Sequence, residues 1–143
     1  MTPSTRCFDI IRNYEGLKLK AYLCPAHIPT IGYGSTGPDI KIGVVWTLDQ
    51  AKARLERDVT KFAAGVASLI GSAPTTQGQF DAMVSLAYNI GLAAFAKSSV
   101  LANHLHKRFA NAAGAFALWN KGGGVVLPGL VNRRKAEATL YRS

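Results

Sequence analysis

The sequence predicts an α+β fold: a small N-terminal lobe containing β-structure (about 1–46), and a larger α-helical C-terminal lobe (about 47–143) entered through a connecting helix. Three observations carry this. Apolar/polar alternation is confined to the stretch between Leu19 and Val45, and from Ala51 onward apolar residues recur at three- and four-residue spacing. Two helix-start signals, Thr47-Leu48-Asp49-Gln50 and Thr76-Gln77-Gly78-Gln79, both lie in the second part. At 143 residues and 48% apolar, the chain has the size of one domain, 1–143, with a core that needs no disulfide or metal staple.

Taken in order, a first helix runs from Ser4 or Thr5 through Tyr14. Phe8, Ile11 and Glu15 share its stripe, and Gly16 stops it. Leu19, Ala21 and Leu23 alternate with Lys18, Lys20, Tyr22 and Cys24 in a strand that Pro25 ends. Thr30-Ile31-Gly32-Tyr33-Gly34 forms its antiparallel partner, and a third short strand is expected from Ile40 to Val45. After Thr47 a long helix carries Ala51, Leu55, Val59, Phe62, Val66 and Leu69 inward, until Gly71 to Pro74 break it. The next carries Phe80, Met83, Val84, Ala87 and Ile90. Shorter helices follow at Ser98–His106 and Phe109–Trp119, Gly122-Gly123-Gly124 reads as a loop, and a last helix spans about Asn132 to Tyr141.

The charge is +9, from 17 basic and 8 acidic side chains, and it is uneven. Residues 1–81 hold nine basic and seven acidic groups, whereas residues 82–143 hold eight basic and one acidic. The second part either favours a polyanion or is a solvated basic face. No apolar run reaches the roughly 18 residues that span a bilayer, and Met1 to Asp9 lack the apolar region of a secretory signal, so synthesis in the cytosol without membrane insertion is expected. Nucleic acid is disfavoured, because no aromatic stripe interleaves the basic residues. Two cysteines, Cys7 and Cys24, are too few for a disulfide framework or zinc site. His104 and His106 are spaced i, i+2 rather than as a metal pair, so no metal or cofactor is expected.

Eight carboxylates can be sorted by position. Asp49 and Asp81 lie near helix starts, Glu56 and Asp58 on the outer face of a basic helix, Asp39 beside Pro38 in a turn. Asp9 faces away from the first helix's stripe, and Glu137 is the i+4 partner of Arg133. Glu15 alone breaks pattern: it sits on an apolar face at the negative end of a helix, where desolvation and the dipole both favour the protonated form that a general acid needs. The alternative is a carboxylate paired with a buried arginine. Cys24 and Thr30 stand at facing strand ends across a five-residue loop, either holding a water opposite Glu15 or serving as a half-buried thiol and an ordinary strand threonine. Gly32 and Gly34 suggest close backbone approach by a ligand.

Glu15-Gly16-Leu17, Ala21-Tyr22, Cys24 and Thr30-Ile31-Gly32-Tyr33-Gly34 together resemble the active-site stretch of the phage lysozymes, the T-even-type endolysins of glycoside hydrolase family 24. That family's signature is Glu, eight residues, Asp or Cys, five residues, Thr, and the same counts separate Glu15, Cys24 and Thr30. Gln79 to Gly91 is similar to the family's helix through the α lobe. Phe116 with Trp119, and Gly129-Leu130-Val131 before Arg133, Arg134, Glu137 and Leu140, match its C-terminal pattern.

The resemblance implies a lysozyme-like fold and a muramidase that hydrolyses the β-1,4 bond between N-acetylmuramic acid and N-acetylglucosamine in peptidoglycan. Glu15 would donate the proton, with Cys24 and Thr30 holding the attacking water in an inverting geometry. Tyr22, Gly32, Tyr33, Asn89 and Arg133 would contact substrate. Many relatives carry Asp at the Cys24 position, and a free thiol, with a pKa of about 8.5, is a poor base at neutral pH unless that pKa is lowered. A bond between Cys7 and Cys24 would disable the site under oxidising conditions. The resemblance further implies a monomeric phage or prophage lysis protein, made in the host cytoplasm and reaching the wall through a holin's membrane lesion. Two rivals are a lytic transglycosylase, which needs the buried Glu but no water-holding partner, and an inactive basic module that binds wall or nucleic acid.

Overall fold

A computed structural model describes all 143 residues. The chain runs α1 (Thr5–Glu15), β1 (Lys18–Leu23), β2 (Pro29–Gly32), α2 (Leu48–Ile70), α3 (Gln77–Ile90), α4 (Leu92–Ala96), α5 (Ser99–Leu105), α6 (Phe109–Ala115), β3 (Lys121–Gly122), β4 (Val125–Val126) and α7 (Pro128–Arg142). A single turn of 3-10 helix, Phe116–Leu118, follows α6. β1 and β2 pair antiparallel, as do β3 and β4.

Local chemistry sets the ends of the two long helices. Thr47 accepts from the Gln50 amide at 3.2 Å while the Gln50 side chain accepts from the Thr47 amide at 2.8 Å. Thr76 and Gln79 repeat the reciprocal pair at 3.1 and 2.9 Å. Each such cap is worth about 1 kcal/mol.

α3 is the axis of the core. Every residue from Gly78 to Ala87 is buried, and the helix is packed by α1, α2, α4 and α7. All-round burial puts polar α3 side chains inside, where each requires a partner. Asp81 accepts from the Ser4 amide at 3.0 Å, from the Ser4 hydroxyl and from Gln77 at 2.8 Å, which pins the start of α1 to α3. Ser85 donates to Glu137 of α7 at 2.5 Å.

Several sequence expectations are corrected. The strand expected at Ile40–Val45 does not form. Only a bridge of Val45 to Lys20 and two hydrogen bonds, Ala21 amide to Val44 carbonyl (2.9 Å) and Trp46 amide to Leu19 carbonyl (2.8 Å), join that segment to β1. Gly43, at φ 103°, interrupts the extended backbone. The glycine loop is instead the turn of the β3–β4 hairpin, because Gly123 (φ 58°) and Gly124 (φ 80°) supply the two positive φ values of a tight two-residue turn. The last helix begins four residues earlier than expected, with Pro128 in its first turn. Asp58 is not a free outer-face charge: it accepts from Ser35 at 2.8 Å and from Arg54 at 3.0 Å.

His104 is wholly buried between Thr75 (Nε2 to Oγ1, 2.9 Å) and Tyr141 (Nδ1 to the phenol, 2.6 Å), and burial pulls its pKa below the ordinary value. The folded protein therefore keeps the ring neutral where the unfolded chain protonates it, at pH below about 6.5. Stability is full above that pH and is lost as pH falls toward the lowered folded value, by at most about 1.4 kcal/mol per pH unit. Urea titrations between pH 7 and 5 should show this slope in the parent and a shallower one in His104→Gln; equal slopes would refute it.

Candidate active site

Glu15 is the last residue of α1, one turn beyond the buried Ile11, and Gly16 (φ 70°) ends the helix there. Its carboxyl does not sit in an apolar niche. Oε1 accepts a hydrogen bond from Nη1 of Arg133 at 2.7 Å, with the Glu15 side chain 18% and the Arg133 side chain 2% exposed. Oε2 lies against Gly34: a Cβ on that glycine, at φ 79°, would stand 2.1 Å from Oε2. The carboxyl is thus gripped from α7 on one oxygen and walled by the loop after β2 on the other.

Arg133 is itself held from behind. Its Nη2 donates to the Ser85 carbonyl at 3.2 Å and its Nε to Glu137 at 3.3 Å. Arg134 completes the cluster, with Nη2 donating to Glu137 at 3.1 Å and Nε in ionic contact with the other Glu137 oxygen at 2.7 Å. Two guanidiniums and two carboxyls balance, which is the condition for burying charge without a large desolvation penalty. Burial pushes the Glu137 carboxyl up, and Arg134 and Arg133 pull against it.

The opposite wall is the β1–β2 hairpin. Tyr22 pairs with Thr30, so their side chains share a face of the hairpin, and Cys24, two residues past Tyr22, continues it. Thr30 is buried and donates its hydroxyl proton to the Ile28 carbonyl at 2.8 Å, which leaves Oγ1 free to accept. The Cys24 thiol is held below its ordinary pKa, first by hydrogen bonding from the Ile28 backbone and then by that of Ala26. The Tyr22 phenol is raised by burial first, then by the charges of Glu15 and Cys24. His27, at φ 59°, shapes the tight loop between the strands, where its amide donates to the Cys24 carbonyl at 2.8 Å.

Five residues were expected at the substrate, and they divide. Tyr22 and Asn89 are exposed and open to a ligand. Gly32 is buried under Trp46, where a Cβ would meet the indole at 3.0 Å, so its lack of a side chain serves packing. The Tyr33 side chain is in the core, and its carbonyl accepts from the Tyr88 phenol at 2.6 Å. Arg133 is buried behind Glu15 and positions it rather than touching solvent. Cys7 and Cys24 are free thiols in separate settings: Cys7 is buried and raised by desolvation beside Asp81 and Glu137.

Sequence reasoning missed Gly34 as the wall of the carboxyl and Ser85 as part of its support. The spacing Leu130, Arg133, Arg134, Glu137, Tyr141 was the available signal, since it places three charges on the inward stripe of α7.

A carboxyl at a helix end facing a small hairpin, backed by a helical lobe around a central buried helix, is the lysozyme-like architecture. The chain belongs to the phage lysozyme family, whose pattern matches residues 12–137. It is 46% identical over 140 residues to an endolysin of Bacillus phage PZA, covering 94% of this chain and 53% of that protein. The chain spans about half the length of the Bacillus phage relatives it matches. Among solved structures it is similar to the endolysin from Escherichia coli O157:H7 phage FAHEc1, at 42% identity and TM-score 0.88, covering 99% of this chain and 93% of that one. It is also similar to the muramidase domain of SpmX from Asticaccaulis excentricus, at 35% identity and TM-score 0.89, covering 98% and 97%.

Replacing Glu137 by Gln leaves two buried guanidiniums against one carboxylate, so urea denaturation should show a loss of about 3–5 kcal/mol. A loss below about 1 kcal/mol would mean the cluster does not depend on that charge.

Proposed function

We propose that this chain is a muramidase that hydrolyses the β-1,4 bond between N-acetylmuramic acid and N-acetylglucosamine in peptidoglycan and so lyses bacterial cells. The observation that carries the reading is the two-sided hold on Glu15, by Arg133 at 2.7 Å and by the wall at Gly34. With Oε1 engaged by Arg133, Oε2 is the oxygen left to carry the proton and give it to the leaving glycosidic oxygen. As Glu15 becomes anionic in the transition state, the fixed guanidinium stabilises the new charge without reorganising.

The nucleophile is a water on the other face of the sugar. Thr30 accepts one of its protons, because its own hydroxyl proton is committed to Ile28. Cys24, with its pKa lowered by surrounding hydrogen bonds, takes the role of base as a thiolate. Attack from the face opposite the acid inverts the anomeric carbon. Tyr22 and Asn89 are the exposed members of the expected substrate-binding set and remain assigned to glycan contact. No metal or other cofactor takes part in this scheme.

Arg133 and Arg134 are neutralised inside, so the surface charge of residues 82–143 is carried by six exposed cations: Lys97, Lys107, Arg108, Lys121, Lys135 and Arg142. They attract the acidic wall, an attraction that salt weakens. No helix is long and apolar enough to cross a membrane. Action as a monomer, synthesis in the host cytoplasm and access through a holin lesion belong to the proposal and rest on the family resemblance.

The test is made on purified sacculi. Glu15→Gln should lower the release of reducing ends by about 10²–10⁴-fold; undiminished release, or 1,6-anhydro ends from the parent, would overturn the reading. Cys24→Ser should lose most activity and Cys24→Asp keep much of it. Because a thiolate is the active form, parent activity should rise with pH through the lowered thiol pKa. That limb should shift toward acid in Cys24→Asp. Equal activity and equal profiles in all three would remove Cys24 from the mechanism.

A further inference from the structure

Behind the wall that Gly34 makes for Glu15, the loop 34–39 and one face of α2 enclose a polar cavity of about 250 Å³. It shares Gly34 with the Glu15 site and Tyr88 with the bond that fixes that loop. Its cations are Arg54, Arg57 and Lys61, and its carboxylates are Asp39 and Asp58. Arg54 satisfies both carboxylates, donating to Asp39 at 2.7 and 3.3 Å and to Asp58 at 3.0 Å, and it also ties down the Thr36 carbonyl at 2.9 Å. Ser35 takes the remaining oxygen of Asp58 at 2.8 Å. Arg57 and Lys61, one turn apart on α2, make no ion pair and no side-chain hydrogen bond. The cavity is therefore a pre-built frame with two uncommitted positive groups.

We infer that this cavity binds a carboxylate of the stem peptide carried by the same glycan strand that lies against Glu15. The inference rests on the muramidase reading and extends it to specificity. Where each muramic lactyl group is amide-linked to its peptide, the amino-sugar backbone is uncharged, and the negative charges of the strand sit on those branching peptides. A cavity one glycine away from the acid, with two free cations, is within reach of such a branch. The anion meets Arg57 and Lys61 without displacing an existing pair, because Asp39 and Asp58 are already held by Arg54.

The experiment compares the parent with the double variant Arg57→Gln/Lys61→Gln on two soluble glycan preparations, both freed of covalently attached wall polymers. One retains its stem peptides; the other has been stripped of them by an amidase, and the lactyl carboxylates so exposed have been converted to methylamides. Lys41→Gln/Lys52→Gln, which removes the same charge from exposed residues outside both the cavity and the basic stretch 82–143, is the control. The double variant should raise KM roughly three- to tenfold on peptide-bearing strands with kcat unchanged, and leave both constants unchanged on bare strands. The control variant should match the parent on both. A KM rise of equal size on bare strands, or in the control, would overturn the inference, as would no rise at all. A rise seen only when phosphate-bearing wall polymer is left attached would overturn it in favour of a phosphate ligand. If the parent itself releases no reducing ends from either preparation, it is the muramidase reading that fails, and the two failures are distinct.

Discussion

Arg133 reaches from the last helix to Glu15, a residue 118 positions earlier in the chain, and closes a hydrogen bond of 2.7 Å on one oxygen of its carboxyl. A carboxyl at a helix end has free rotation about its side chain, which would be costly for the proton-donor role proposed for Glu15. The guanidinium removes that freedom on one side and Gly34 removes it on the other. An arginine suits the task because its planar fork is charged at every working pH and can serve several acceptors at once. Here the acceptors are Glu15, Glu137 and the Ser85 carbonyl.

The same bond makes the fold and the site one problem. Arg133 can be buried only because Glu137 and Ser85 face it, and Ser85 faces it only because α3 is surrounded on all sides. α3 is fixed in turn by Asp81, which holds the first residues before α1, the helix that ends on Glu15. The hairpin wall is a separate and weaker unit: β1 is largely exposed, and its edge gains only two backbone hydrogen bonds from the segment before Trp46. Rigidity is thus concentrated around Glu15, while Cys24 and Thr30 stand on the more open element.

What was legible in the sequence follows from the range of the interactions. Thr47/Gln50 and Thr76/Gln79 are pairs within four residues, so their capping boxes could be read directly and both formed. The Glu15, Cys24 and Thr30 spacing was equally local and carried the family resemblance. The strand at Ile40–Val45 was misread because Gly43 was free to take a positive φ, which alternation does not reveal. The start of α7 was placed four residues late, at Asn132, because Pro128 and Gly129 are weak helix formers in isolation, whereas in the first turn the missing N–H of Pro128 costs nothing. Gly32 and Gly34 were read as making room for a ligand, whereas they make room for Trp46 and for Glu15. Arg133 looked like a substrate-binding cation because its partner lies 118 residues away, a separation no local pattern carries.

The pairing of Glu15 with Arg133 is open to direct measurement by a double-mutant cycle in urea stability, using Glu15→Gln, Arg133→Met and the two combined. A charge-assisted hydrogen bond of this geometry predicts a coupling of about 1.5–3 kcal/mol, with the double variant less destabilised than the sum of the singles. Single-variant losses that add to within about 0.5 kcal/mol would contradict the account, because the two groups would then be neighbours without being partners.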